Sequence, residues 1–198
     1  MTILVAVTGG IGSGKSTFSE EVLKKKLPLF DSDKEVADIY KKQEKNFLNL
    51  LKSIGLEKAI KNKRIDKKLI RDSIFTDKEL KIKLEKYIFK IVRKKREKFI
   101  KQQKKINSKI AFFDIPLLFE NNLSNNFDIV ITIISKKKHR IKRLSISKKI
   151  NKSTFNMIIK SQTSDIVRKS KSDIIIYNND TMIKYKNKIK KALDKTIS

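Results

Sequence analysis

An open α/β sheet, mostly parallel and five-stranded with helices on both faces, is the fold class predicted by this sequence of 198 residues. Three observations lead there. Short β-branched runs recur along the chain and end in turn or polar residues, as strands buried on both faces do. Stretches with the 3.6-residue period of an amphipathic helix separate them. The glycine-rich segment GGIGSGKST (Gly9 to Thr17) lies between the first such run and a helical stretch, the kind of strand-to-helix junction at which sheets of this class gather ligands.

The elements follow in order. ILVAVT (Ile3 to Thr8) is the first strand and LPLFD (Leu27 to Asp31) the second. From about Val36 to Ser108 the pattern is helical and holds no strand, so an inserted helical cap over the carboxyl edge of the sheet is expected. Inside it Leu80, Leu84, Ile88 and Ile91 share one helix face. TDKE (Thr76 to Glu79) ahead of them fits a capping box, with the Thr76 hydroxyl and the Glu79 carboxylate on the first amides. KIAFFD (Lys109 to Asp114) is the third strand, and Pro116 just beyond it suits the first turn of a helix. FDIVITII (Phe127 to Ile134) is the fourth; the lysine-rich SKKKHRIKRLSISKK (Ser135 to Lys149) after it reads as a mobile lid. DIIIY (Asp173 to Tyr177) is the fifth. With no internal repeat and no Pro/Gly/Ser-rich linker, one domain over residues 1–198 is expected, carrying the insertion at about 36–108 and the lid at about 135–149.

Composition narrows the chemistry. With no cysteine and the single His139, neither disulfides nor a thiolate or multi-histidine metal site can form within the chain, so any metal has oxygen ligands. No apolar stretch approaches the ~20 residues that span a bilayer, and the N-terminus runs straight into a strand pattern, so a cytoplasmic protein with no membrane contact is expected. The net charge of +28 would ordinarily point to nucleic acid. Its lysines are spread through nearly every segment beside many Ile and Asn, as a coding bias and solvated helix faces would give, so no nucleic-acid partner is expected.

Gly9, Gly14, Lys15 and Ser16 match G-x-x-x-x-G-K-[ST]. Without Cβ atoms such a backbone curls until successive amides face inward around phosphates, aided by the helix N-terminus that follows. Gly10, Ile11, Gly12, Ser13, Gly14, Lys15, Ser16 and Thr17 are therefore the expected cradle for ATP. Within it Lys15 reaches the β- and γ-phosphates and the Ser16 hydroxyl serves Mg²⁺. Phosphoryl transfer also needs a group that orients an acceptor hydroxyl and takes its proton. FDSD places Asp31 and Asp33 at the end of the second strand; an aspartate there caps a helix about as often as it does chemistry, and two allow one to cap while the other acts. Asp114 at the end of the third strand is either a Mg²⁺ ligand or a cap. Leu117, Leu118 and Phe119 fit an acceptor pocket or the core. Arg140 and Arg143 fit a lid that closes over a transferring phosphoryl group, or a plain surface helix. Gln162, Arg168 and Asn178 are polar without a signal of their own.

VTGGIGSGKST, FDSD, DIPLLFE, IIKSQ and SDIIIYNND occur in the order and spacing of the dephospho-CoA kinases, which this chain resembles over nearly its whole length. The resemblance implies a P-loop, nucleoside monophosphate kinase-like fold; the chain is expected to act as a monomer. It also implies ATP- and Mg²⁺-dependent phosphorylation of the ribose 3′-hydroxyl of dephospho-CoA; the alternative is a P-loop kinase for another nucleotide or hydroxylated small molecule. It makes Asp33 the catalytic base, Lys15 the phosphate clamp, Ser16 a metal ligand, Arg143 a lid arginine and Asn178 an adenine-side contact. The chain departs from the family where a His-Pro pair is usual, reading Phe89-Lys90. It departs again at two usual arginines, matched by Lys67 and Ser147.

Overall fold

The computed structural model describes residues 1–61, 64–146 and 152–197. Strand β1 (Ile3–Thr8) passes through the glycine segment into α1 (Lys15–Lys24) and then β2 (Leu29–Asp31), from which the chain enters α2 (Ser32–Lys42) with no intervening loop. Next come α3 (Lys45–Ser53), β3 (Ile60–Lys61), β4 (Arg64–Ile65), α4 (Lys67–Thr76) and the long α5 (Lys78–Lys105). The chain continues through β5 (Ile110–Asp114), β6 (Ile129–Ile134), α6 (Lys137–Ile146), α7 (Lys152–Ser161), α8 (Asp165–Ser170), β7 (Ile174–Tyr177) and α9 (Met182–Ile197). It forms two compact units, Met1–Asp31 with Ile100–Ser198, and Ser32–Phe99.

The first unit holds a five-stranded sheet in the order β2-β5-β1-β6-β7, parallel at every pairing. The order puts β1 at the centre, where Val5, Ala6 and Val7 are wholly buried. Val5 and Val7 pack with Phe112, Ile131 and Ile133 against Phe18 and Val22 of α1 and Tyr185, Ile189 and Leu193 of α9. Four-residue helical spacing between Phe18 and Val22, and between Tyr185, Ile189 and Leu193, turns those side chains onto one face. Fully buried aliphatic side chains of this size each contribute about 1.5–3 kcal/mol, which fixes β1 and the loop that leaves it.

The second unit is helical, with a core of its own built from Ile39, Phe47, Leu51, Leu56, Ile70, Leu84 and Ile88. The Phe47 ring stacks on Tyr87 at 5.9 Å between centroids and takes the edge of Tyr40 at 5.2 Å. Leu84 and Ile88 are buried as their spacing predicts. Three local expectations are corrected. The segment is not free of strands: β3 and β4 pair antiparallel, Ile60 with Ile65 and Lys61 with Arg64, a ladder too short to leave an alternating pattern. Thr76 does not cap α5. It ends α4 with its hydroxyl donating to the Ser73 carbonyl at 3.0 Å, and the cap is Asp77, whose Oδ1 accepts from Leu80 N at 2.9 Å. A carboxylate one residue later outcompetes the hydroxyl as acceptor for the positive end of the helix. Finally, Pro116 starts no helix; residues 116–122 form successive turns, closed by Asn122 at φ 53° and the bond from Leu123 N to Leu118 O at 2.9 Å.

Candidate active site

The glycine loop runs from the buried end of β1 into α1, whose N-cap, Gly14, has no side chain to satisfy the first amides of the helix. Gly14 has φ 113°, outside the range that side chains tolerate, and a Cβ there would collide with the Asn178 amide. A Cβ on Gly10 would collide with the Arg140 guanidinium. Both positions are glycine because other side chains press on the backbone.

Those side chains give the loop its polarity. Each carbonyl from Gly9 to Gly14 accepts a hydrogen bond. The Gly9 oxygen takes Lys15 Nζ at 3.2 Å, and the Gly10 oxygen takes Ser13 N at 3.0 Å. Ile11 O accepts from Arg140 Nε at 2.7 Å, Gly12 O from Arg143 Nη1 at 3.2 Å, and Ser13 O from Asn178 Nδ2 at 2.7 Å. Gly14 O accepts from the Tyr185 hydroxyl at 2.9 Å. With its carbonyls engaged, the loop keeps the amides of Gly12, Gly14, Lys15 and Ser16 without an acceptor among the described residues. Such a set of amides at the positive end of a helix is an anion cradle. Burial pushes the Tyr185 phenol far above its ordinary range, so it stays a donor at every physiological pH. Burial also draws the Arg140 and Arg143 guanidinium groups downward from a starting value high enough that both remain cations.

Arg143 and Asn178 thus sit together against the loop. Arg143 Nη2 donates to the Asn178 carbonyl at 2.8 Å and to its Oδ1 at 3.0 Å, while Nη1 reaches Ser135 Oγ at 3.0 Å. The Asn178 side chain, expected beside adenine, is buried and bonded at both ends to Ser13 and Arg143. The expected lid is α6 as far as Ile146; Ser147, Lys148 and Lys149 lie outside the described residues.

On the neighbouring strands, parallel register sets Asp31 beside Asp114 at the carboxyl edge. Asp114 is buried and does not cap a helix; its Oδ2 accepts from Ser19 Oγ at 2.9 Å. Ser16 lies three residues before Ser19 and so shares its face of α1. The exposed Ser16 hydroxyl and the Asp114 carboxylate are hard oxygen donors of the kind Mg²⁺ takes, few in number because the ion keeps waters and phosphate oxygens as well. Among the described residues no group of three or more carboxylates and imidazoles forms a self-sufficient metal cage. Leu118 and Phe119 belong to the core, while Leu117 is exposed. Asp33 lies two residues past β2, exposed in the first turn of α2, within the helical unit. In that unit Lys67 begins α4 with its ammonium 5.3 Å from the Tyr40 ring centroid, and Phe89 and Lys90 are exposed on α5.

Several contributors carried no signal in the sequence. Tyr185 looks like any helix-face aromatic, and Gln162 stood out only within a motif shared by resemblance, yet its Oε1 accepts from Ile11 N at 3.0 Å.

The family model for dephospho-CoA kinase matches residues 3–184. A dephospho-CoA kinase of Fusobacterium nucleatum is 35% identical over 164 residues, covering 82% of each chain. One from Oceanobacillus iheyensis is 33% identical over 135 residues, covering 67% of each. Among solved structures, a dephospho-CoA kinase from Campylobacter jejuni aligns at TM-score 0.74 with 27% identity over 99% of this chain and 98% of its own. A shikimate kinase from Bacteroides thetaiotaomicron shares the fold at TM-score 0.56 and 11% identity, covering 98% of each chain.

Proposed function

The chain belongs to the dephospho-CoA kinase family, and on that premise we propose how its own residues carry the reaction. The enzyme transfers the γ-phosphoryl group of ATP to the ribose 3′-hydroxyl of dephospho-CoA, forming coenzyme A in the final step of its synthesis. The observation that carries the assignment of roles is the polarity of the glycine loop, every carbonyl engaged by the protein and four amides left for phosphate oxygens.

In this reading Gly10 to Thr17 hold the polyphosphate, and Lys15 leaves the Gly9 carbonyl to bridge the β- and γ-phosphates. Ser16 and Asp114 hold Mg²⁺, which supplies charge neutralisation on the phosphates. Asp33 accepts the proton of the attacking hydroxyl and aligns it with the γ-phosphorus. Arg143 offsets charge on the transferring group; to do so its guanidinium exchanges part of its bonding to Gly12 and Asn178 for phosphate. Asn178 then acts on the adenine side mainly by shaping the wall at Ser13 and Arg143. A single chain supplies all these residues, which supports a monomer as the active species. It needs neither nucleic acid nor membrane, and among the described residues no helix is long and apolar enough to cross one. In this reading the reaction takes place in the cytoplasm.

The test is an acceptor assay with Mg²⁺ and ATP. Dephospho-CoA should give stoichiometric ADP and coenzyme A, with nucleoside monophosphates and shikimate near background. ADP release no faster with dephospho-CoA than without it would refute the acceptor, and polynucleotide-stimulated turnover would refute the absence of a nucleic-acid partner.

A further inference from the structure

We propose that Gln162 and Arg140 are positioning residues that set the phosphate loop by gripping Ile11 from both sides, an inference resting on the reading of that loop as the ATP site. Ile11 N donates to Gln162 Oε1 at 3.0 Å, and Ile11 O accepts from Arg140 Nε at 2.7 Å. Because a peptide unit is planar and trans, holding one of its polar groups fixes the direction of the other. Gln162 thereby turns the Gly10 carbonyl toward Ser13 N, which it accepts at 3.0 Å. Arg140, drawing the Ile11 carbonyl to itself, turns the Gly12 amide the opposite way and adds it to the inward set.

The loop cannot do this by itself. Glycines at 9, 10, 12 and 14 remove the steric preferences that would hold a peptide plane in place, and rotation of the 11–12 unit would put the Ile11 carbonyl where the Gly12 amide belongs, among the phosphate oxygens. The two gripping side chains share one frame. Glu120 Oε1 accepts from Thr163 N, next to Gln162, at 2.7 Å and from Arg168 Nη2 at 3.2 Å. Arg168 Nη1 bonds Asp165 Oδ1 at 3.1 Å, and Asp165 Oδ2 lies 3.7 Å from Arg140 Nη1. Arg140 and Arg168 are both almost wholly buried. This links the DIPLLFE and IIKSQ motifs physically: the glutamate of the first anchors the backbone that presents the glutamine of the second.

The experiment compares Gln162→Met, which keeps length without a comparable acceptor, with Gln162→Glu, which keeps an oxygen at the same reach. ADP·Mg²⁺ affinity is measured by calorimetry, KM for each substrate by steady-state assay, and the melting midpoint without nucleotide. Loss of this part-buried hydrogen bond predicts about tenfold weaker ADP binding and a matching rise in KM for ATP in Gln162→Met. KM for dephospho-CoA and the ligand-free midpoint stay at wild-type values, and Gln162→Glu recovers most of the affinity. Adding Arg140→Met to Gln162→Met should cost less than the sum of the single changes, because each side chain holds the same residue. Wild-type ADP affinity in Gln162→Met overturns the proposal. So does a loss shared equally by both substrates with a lowered midpoint, which marks a merely structural residue. If the wild-type protein itself neither binds ADP·Mg²⁺ nor phosphorylates dephospho-CoA, the reading of the loop falls first and takes this inference with it.

Discussion

Asp33→Asn keeps the size of the side chain and removes its capacity to take a proton, so kcat should fall by roughly 10²–10⁴-fold. ADP·Mg²⁺ affinity, set by the loop, should stay within about twofold, and a single-turnover assay beside calorimetry separates the two effects. Gly10→Ala makes the opposite change. Its methyl group meets the Arg140 guanidinium, which is bonded to Ile11 O and buried over the Phe155 ring at 5.7 Å, so the backbone must yield. Nucleotide affinity is then expected to drop at least tenfold, with fold retained by circular dichroism. At this scale the glycine loop is legible in the sequence, and the side chains that stand behind it are not. Gly14, Lys15 and Ser16 are written as a motif because their backbone geometry is demanding. Arg140, Gln162 and Tyr185 come from α6, the α7–α8 turn and α9, and only the folded sheet brings their tips to one loop.

Elements were legible where pattern and burial coincide. β1, β5 and β6 are continuous apolar runs because the sheet is covered on both faces at those positions. The β3–β4 ladder and the turns after β5 were not legible, since two-residue strands have no period and a proline fits a turn as well as a first helical residue. Helix ends obey capping chemistry more closely than motif spacing does. Asp66 caps α4 by accepting from Lys68 N at 3.1 Å and Leu69 N at 3.0 Å. The Leu69 amide, more than Lys61, holds its carboxyl below the ordinary range. A carboxyl with a lowered folded pKa contributes stability above the ordinary carboxylate pKa and loses it as pH falls through that value toward the depressed one. Asp66→Ala should therefore lower the melting midpoint by a few degrees at neutral pH, and the gap from wild type should close in acid. Asp66→Asn, which still caps, should show little of either effect; scanning calorimetry across pH checks both.

For the whole molecule, binding is linked to stability. Saturation with ATP analogue and Mg²⁺ at about a hundred times Kd adds ~2.7 kcal/mol, which for a chain of this length is a rise of roughly 5–10 °C in melting midpoint. Chelating the metal should remove much of that rise if Ser16 and Asp114 hold it, and differential scanning fluorimetry reads the difference. Fold class was predictable from alternation of strand and helix, whereas the helical segment expected from about Val36 begins at Ser32, because α2 leaves β2 without a loop to mark the division. The strand order has a further effect on how the chain is made. Among the described residues β1 pairs only with β5 and β6, and β2 only with β5. As the polypeptide emerges from the ribosome, its first apolar strand therefore waits without a neighbour until residue 114 has been translated, while the helices between can already condense on their own core. During that interval ILVAV is the exposed segment of the nascent protein on which holding chaperones would act.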